Sequence, residues 1–223
     1  IDQGPTIVLL PEMLHSIMEE GGISRERLPL LECDPLYRIH YADGRVMTKH
    51  RGTEEQAEEL ESFAPGAGTG FRRFMRDMQP LFTRGQASFL ERDFPNAATF
   101  FSRSNLALMR SLRAYRNLSS AAGMYFRDPK LREAYSLQSL YIGGIPEKTP
   151  GLYTMLPYAE HAFGVWMLKG GYGALPRIIG EELQSRGVNI RLGSTVEHME
   201  VRNGVCLGVQ VDGEKLSYDA VLY

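Results

Sequence analysis

The feature that most limits the fold is a change of apolar period along the chain. From about Gly70 to Arg132 the period is mostly helical. Phe71, Phe74, Met75 and Met78, then Leu106, Met109, Leu112 and Tyr115, recur at three- and four-residue steps, which puts them on one face of a helix. Beyond Val188 the apolar residues fall into three or four short β-like runs, broken at Asn203-Gly204 and Asp212-Gly213, dipeptides that close tight turns between antiparallel strands. Two periods in two blocks predict an α+β or α/β chain, with a largely helical region and a β-meander.

The remaining segments have their own signals. Pro11 suits a first helical turn, and Met13, Leu14, Ile17 and Met18 keep helical spacing as far as the Gly21-Gly22 stop. In "LPLLECDPLYRIHYADGRVMTKH", Leu36, Arg38 and His40 alternate with Tyr37, Ile39 and Tyr41, and Asp43-Gly44 supplies a hairpin turn. "TEEQAEELESF" predicts a helix capped by Thr53 with acids in its first turn. A further capped helix starts at Asp128, and a break at Gly143-Gly144 precedes another helix in an aromatic-rich block. A Phe and Met stripe at helical spacing reads first as core, yet "FPNAATFFSRSNLALM" also suits the wall of a wide apolar channel.

Composition narrows the functional classes. With 223 residues, 43% hydrophobic, a net charge of -2 and no basic excess, nothing calls for a nucleic-acid partner. Cys33 and Cys206 stand far apart and read as two small buried thiols; the five histidines show no zinc-ligand spacing, so no metal site is expected. No apolar run reaches the roughly 18 residues of a membrane span. The chain opens inside one apolar pattern, at Ile1, and stops inside another, at "KLSYDAVLY"; it reads as an internal fragment of a longer chain.

The stretch "WMLKGGYGALPRIIGEELQSRGVNIRLGSTVE" has the outline of a dinucleotide-binding turn, strand then Gly171-x-Gly173 then helix, with Glu197 lying 24 residues beyond Gly173. That fingerprint needs three glycines, the last for close helix packing. Here the third place is Pro176, so the match is weak. The turn reads as a nucleotide loop, a steric glycine at a helix start, or a passage of backbone close to a ligand.

A resemblance enters with "LREAYSLQSLYIGGIPEKTPGLYTMLPYAEHAFGVWMLKGGYGALPRII" and "DQGPTIVLLPEML". These strings, in this order, resemble the bacterial carotenoid desaturases, the phytoene and diapophytoene (dehydrosqualene) desaturase family of FAD-dependent oxidoreductases. The resemblance spans nearly the whole chain. It implies a mostly helical substrate-binding domain with a small sheet, inserted in a split Rossmann-like FAD-binding domain of which only the middle pieces are present. On that reading residues 1–8 end an FAD-domain segment, 9–167 form the substrate domain, and 168–223 return to the FAD domain. The G-x-G-x-x-G segment would then precede Ile1, and the isolated chain is expected to retain no FAD.

The same resemblance implies FAD contacts at Gly4-Pro5-Thr6, Gly170, Gly171 and Val196, and a long apolar polyene against Phe100, Phe101, Tyr141, Tyr153 and Trp166. It implies removal of a hydride to flavin N5 and of a proton from the neighbouring carbon, and a cytoplasmic protein peripherally bound to a membrane surface, from which such a substrate arrives. It leaves open C30 against C40 substrates and the oligomeric state. Glu160 and His161, beside the aromatic block, are candidate bases, and Arg103 is a candidate for stabilising developing charge; a solvated face also accounts for each. Polyene saturation, isomerisation or oxygenation, and a non-catalytic helical binding module, are the alternatives.

Overall fold

The computed structural model describes residues 7–222; Gly4, Pro5 and Thr6 lie outside the described residues. Contacts divide the chain into two compact units, Ile1–Leu175 and Pro176–Tyr223. Helices are mixed with small antiparallel sheets, an α+β arrangement.

In the first unit, α1 (Pro11–Glu20) starts at Pro11 and gives way to Gly21 and Gly22, with Gly22 at φ +84°. β1 (Leu30–Glu32) and β4 (Trp166–Leu168) pair antiparallel, Leu30 opposite Leu168 and Glu32 opposite Trp166. Val8 exchanges two backbone hydrogen bonds with Trp166, at 2.7 and 3.0 Å, so three distant stretches of chain meet at β4. The hairpin β2 (Tyr37–His40) and β3 (Val46–Lys49) sets Tyr37 opposite Lys49 and His40 opposite Val46. Its inner face carries Met47 and Lys49, both buried, two residues apart as the pleat requires.

α2 (Thr53–Phe63) and α3 (Ala67–Gly85) form an antiparallel pair. Thr53 does not cap α2; Gly52, in extended backbone, precedes the helix and its carbonyl accepts from the Gln56 amide at 2.9 Å. The helix thus begins one residue too early for the Thr53 hydroxyl to reach its free amides. Close approach in this region depends on missing side chains: a Cβ on Gly68 would meet the Ala57 carbonyl oxygen at 2.5 Å, and one on Gly70 the Tyr125 carbonyl oxygen at 2.2 Å. α3 buries Phe71, Phe74, Met78 and Phe82 on one face. These rings pack with Tyr125, Phe126 and Tyr135, Phe74 lying 5.3 Å from Tyr125 and Phe126 4.3 Å from Tyr135.

A π turn at Gln86–Leu90 leads to α4 (Ala97–Phe100), α5 (Arg103–Ser111), α6 (Leu118–Ala122), α7 (Pro129–Ala134) and α8 (Met155–Phe163). Asp128 caps α7, accepting from the amides of Lys130 and Leu131 at 2.8 and 3.2 Å. Of the stripe predicted through α5, Leu112 is buried and Met109 half-buried, whereas Leu106 and Tyr115 are 48% and 71% exposed; Leu108, outside the stripe, is buried. The buried face also carries Asn105, whose amide donates to the Phe100 carbonyl at 2.9 Å, and α5 ends at Ser111, so Tyr115 is no longer on the helix.

In the second unit α9 (Ala174–Ser185), which starts just before the division, is followed by β5 (Val196–Arg202), β6 (Val205–Val211) and β7 (Glu214–Ser217), an antiparallel meander in that order. Asn203 and Gly204 have φ of 52° and 79°, and Asp212 and Gly213 of 50° and 80°. Two left-handed residues in succession make the type I′ geometry that matches strand twist. Residues 188–192 form no strand. Cys33 and Cys206 are only half-buried, and free.

Candidate functional site

A cavity of about 650 Å³ lies within the first unit. Its walls come from separate elements: Ile7 to Leu10 before α1, Met13, Leu14 and Ile17 on α1, Phe82 on α3, Phe89 and Leu90 in the π turn, Phe100 and Met109 around α5, Leu152, Tyr153, Met155, Leu156 and Ala159 at and before α8, and Tyr172. None of these side chains is charged. The cavity also accounts for α1, an amphipathic helix that buries no residue: its apolar face lies on this space and not on the core. Of the expected substrate contacts, Phe100 and Tyr153 line the cavity. Phe101 is 55% exposed next to it. Trp166 borders a smaller space of about 210 Å³ with Leu10, Met13 and Phe163, its Nε1 donating to the Phe163 carbonyl at 2.7 Å.

After β4 the chain turns at Gly170 and Gly171, with φ of +88° and +82°. Left-handed backbone at both positions calls for glycine. No heavy atom lies within 4 Å of a Cβ placed on Gly170, so the turn offers bare, open backbone two residues before Tyr172, a cavity wall. Pro176 stands in the first turn of α9. Val196 opens β5 opposite Val211 and is 57% exposed.

Glu160 and His161 are not on a solvated face; both are buried. Glu160 Oε2 accepts from Tyr37 Oη at 2.8 Å and Gln138 Nε2 at 2.9 Å, and its Oε1 from Tyr141 Oη at 2.7 Å. Lys49 Nζ, fully buried, sits 3.4 Å from Oε2 without hydrogen-bond geometry and 3.9 Å from the Tyr135 ring centroid. Burial pulls the Lys49 ammonium below the ordinary lysine range, against the pull of Glu160. Burial also pushes the Tyr37 phenol well up, with the Glu160 charge adding to it. His161 Nδ1 donates to the His50 carbonyl at 2.7 Å, leaving Nε2 to accept from Tyr135 Oη at 3.3 Å. Burial and the nearby Lys49 hold His161 well below its usual value, so the ring is neutral at pH 7. The cluster commits the Glu160 carboxylate and both His161 ring nitrogens to protein partners. It holds α8, the helix whose Met155, Leu156 and Ala159 line the cavity.

Tyr141, expected at the substrate, belongs to this cluster and is 41% exposed. Arg103 is exposed and does not line the cavity. Sequence reasoning passed over Lys49, Tyr37 and Gln138. The one available signal was the hairpin alternation, which turns Tyr37 inward with Ile39. Lys49 had none, since a lysine at a strand end ordinarily reaches solvent.

From Phe94 to Arg127 the chain carries Arg103, Arg110, Arg113, Arg116 and Arg127 and no Asp or Glu, and the exposed Phe101, Leu106 and Tyr115 belong to the same stretch. Among the described residues no helix is long and apolar enough to cross a membrane, and no cluster of His, Cys, Asp and Glu could hold a metal.

Known proteins resemble the chain along its whole length. It is 42% identical over 220 residues to a 4,4'-diapolycopen-4-al dehydrogenase of Metabacillus indicus, covering 99% of this chain and 45% of the relative. Identity is 31% over 223 residues to a zeta-carotene-forming phytoene desaturase of Myxococcus xanthus, 99% of this chain and 43% of the relative. It is 29% over 223 residues to a 4,4'-diapophytoene desaturase (4,4'-diapolycopene-forming) of Methylomonas sp, again 99% and 43%. The chain thus spans about half the length of the relatives it matches. The family model for flavin containing amine oxidoreductase matches residues 1–223, and the chain belongs to that family.

Proposed function

We propose that the protein carrying this chain is an FAD-dependent oxidoreductase that desaturates a long polyene, phytoene or diapophytoene, in carotenoid biosynthesis, and that this chain supplies the substrate cavity. The observation that carries the reading is the cavity of about 650 Å³ with no charged wall residue. Such a space binds an extended hydrocarbon by removing its apolar surface from water.

FAD is the cofactor the family implies, and the left-handed turn at Gly170 and Gly171, with open space at Gly170, fits the close approach of a flat ligand beside that cavity; Gly4, Pro5, Thr6 and Val196 are the other residues assigned to it, by resemblance. Bound FAD supplies a two-electron acceptor, so that a saturated carbon pair loses a hydride and a proton to become a double bond. The chain's own residues hold the substrate straight and exclude water. Arg103, Glu160 and His161 were the candidates for the chemistry. The committed hydrogen bonds of Glu160 and His161 favour a positioning role for them, through α8. The division into 1–8, 9–167 and 168–223, with a split Rossmann-like FAD domain, belongs to the same proposal and rests on the resemblance. So does a cytoplasmic location with peripheral contact to a membrane, which the acid-free arginine stretch beside exposed Phe101 and Leu106 supports.

A second reading, oxidation of a polyene's terminal aldehyde, is favoured by one observation: the relative of 42% identity is named for an aldehyde substrate, and those of 31% and 29% for hydrocarbons. Expression from the complete gene, a flavin spectrum, and mass analysis of products from phytoene, diapophytoene and diapolycopenal separate the two. Loss of two hydrogens per step marks desaturation, and gain of one oxygen marks aldehyde oxidation. A folded protein without flavin, or one that converts none of the three, refutes both.

A further inference from the structure

We infer that Gly85 sets the bore of the apolar cavity by seating the thioether of Met155, and that a side chain at position 85 would narrow the space for substrate. The inference rests on the proposed polyene function and names a specificity-determining position within it. Gly85 ends α3 and is buried. Phe82, one turn before it, and Phe89, one turn after it, both line the cavity. Between these two wall side chains position 85 contributes none. Met155, at the start of α8 and itself a wall residue, reaches into that gap: a Cβ on Gly85 would lie 2.6 Å from its Sδ and 3.2 Å from its Cε.

The backbone does not call for glycine there. Gly85 has φ -65° and ψ -43°, ordinary helical angles, and alanine is the better helix former at such a position. What glycine supplies is room. At Gly68 and Gly70 an added Cβ would strike the carbonyl oxygen of another segment, so those glycines serve the close approach of backbones. At Gly85 the neighbour is the end of a flexible side chain, which moves at small cost. Phe82 packs on the rings of Tyr158 and Phe163, at 5.3 and 5.1 Å, and a closely packed interior leaves no other void to receive a displaced thioether. The open volume beside Met155 is the cavity itself. A methyl at position 85 therefore turns Met155 into the substrate space and leaves the fold intact.

The test uses the flavoprotein expressed from its complete gene. It follows turnover of phytoene and diapophytoene, equilibrium binding of retinol, a methyl-branched polyene read by its fluorescence, and the thermal unfolding midpoint. Gly85→Ala is expected to lower kcat/KM for the polyene and the affinity for retinol about 10-fold, the scale of one methylene of misfit in an apolar pocket. Its unfolding midpoint should hold or rise. Met155→Ala added to Gly85→Ala removes the thioether and should restore most of the loss. A midpoint that falls, or a variant that does not fold, marks Gly85 as a packing glycine and overturns the inference. So does unchanged substrate use, or a loss that Met155→Ala leaves in place. An unaltered protein that converts neither polyene sinks the function proposal alone, because retinol binding still reads the bore.

Discussion

Replacing Glu160 by Gln should be among the most damaging single changes in the first unit, although neither its size nor its shape is altered. The carboxylate has four neighbours: three donors at 2.7 to 2.9 Å and the Lys49 ammonium at 3.4 Å. The amide keeps one acceptor oxygen, turns two N–H donors toward groups that themselves donate, and strands a fully buried ammonium. Removing one partner of a buried pair costs about 3–5 kcal/mol, a third or more of the about 5–15 kcal/mol that holds a typical domain folded.

The pH dependence gives a second signature. Burial already lowers the Lys49 pKa below its unfolded value, and loss of Glu160 removes the raising influence. The folded variant therefore binds fewer protons than the unfolded chain in the alkaline range below the ordinary lysine pKa, so its stability rises with pH there. Urea unfolding at pH 7 and 9.5, with Lys49→Met and the double variant completing a cycle, measures this. The double variant should recover much of the loss, since no charge is left stranded. Additive losses across the cycle, a single-variant cost under about 1 kcal/mol, or a deficit that grows with pH would each refute the reasoning.

Three further outcomes follow from the packing and the charges. Gly70→Ala places a methyl 2.2 Å from the Tyr125 carbonyl oxygen and, although alanine favours a helix, should cost about 1–3 kcal/mol in denaturant unfolding as α3 shifts away. Asp128→Ala removes the cap of α7 and should cost about 0.5–2 kcal/mol by the same measurement. Asp43, held by Lys130, has a carboxyl pulled down to about 2 from 3.8. Its stabilisation is complete above pH 4 and is lost as pH falls toward 2, so Asp43→Asn should flatten the acid limb of a stability–pH curve over that interval.

The secondary structure was legible wherever a local signal decides it. Asn203-Gly204 and Asp212-Gly213 announce the meander because only left-handed backbone closes such turns, and Phe71, Phe74 and Met78 announce α3 because one face of a long helix must be buried. Where the spacing of apolar residues does not record which of them the fold covers, reading residue by residue fails. In α5 the buried positions include Asn105, whose amide donates to the Phe100 carbonyl, while Leu106 is exposed. In α2 the start is set by Gly52 and not by the better capping residue beside it.

The site divides in the same way. The sequence by itself determined the helical and β-meander blocks, the resemblance to carotenoid desaturases, and the glycines at 170 and 171, because each rests on neighbours in the chain. Only the tertiary structure decided that Ile7 to Leu10, α1, the π turn and α8 enclose one apolar space, and that Lys49 is buried against Glu160. Residues 49 and 160 are more than a hundred positions apart, and no spacing rule connects them. A buried charge is tolerable only where the fold delivers its partner, so the pair becomes visible only once the chain is folded.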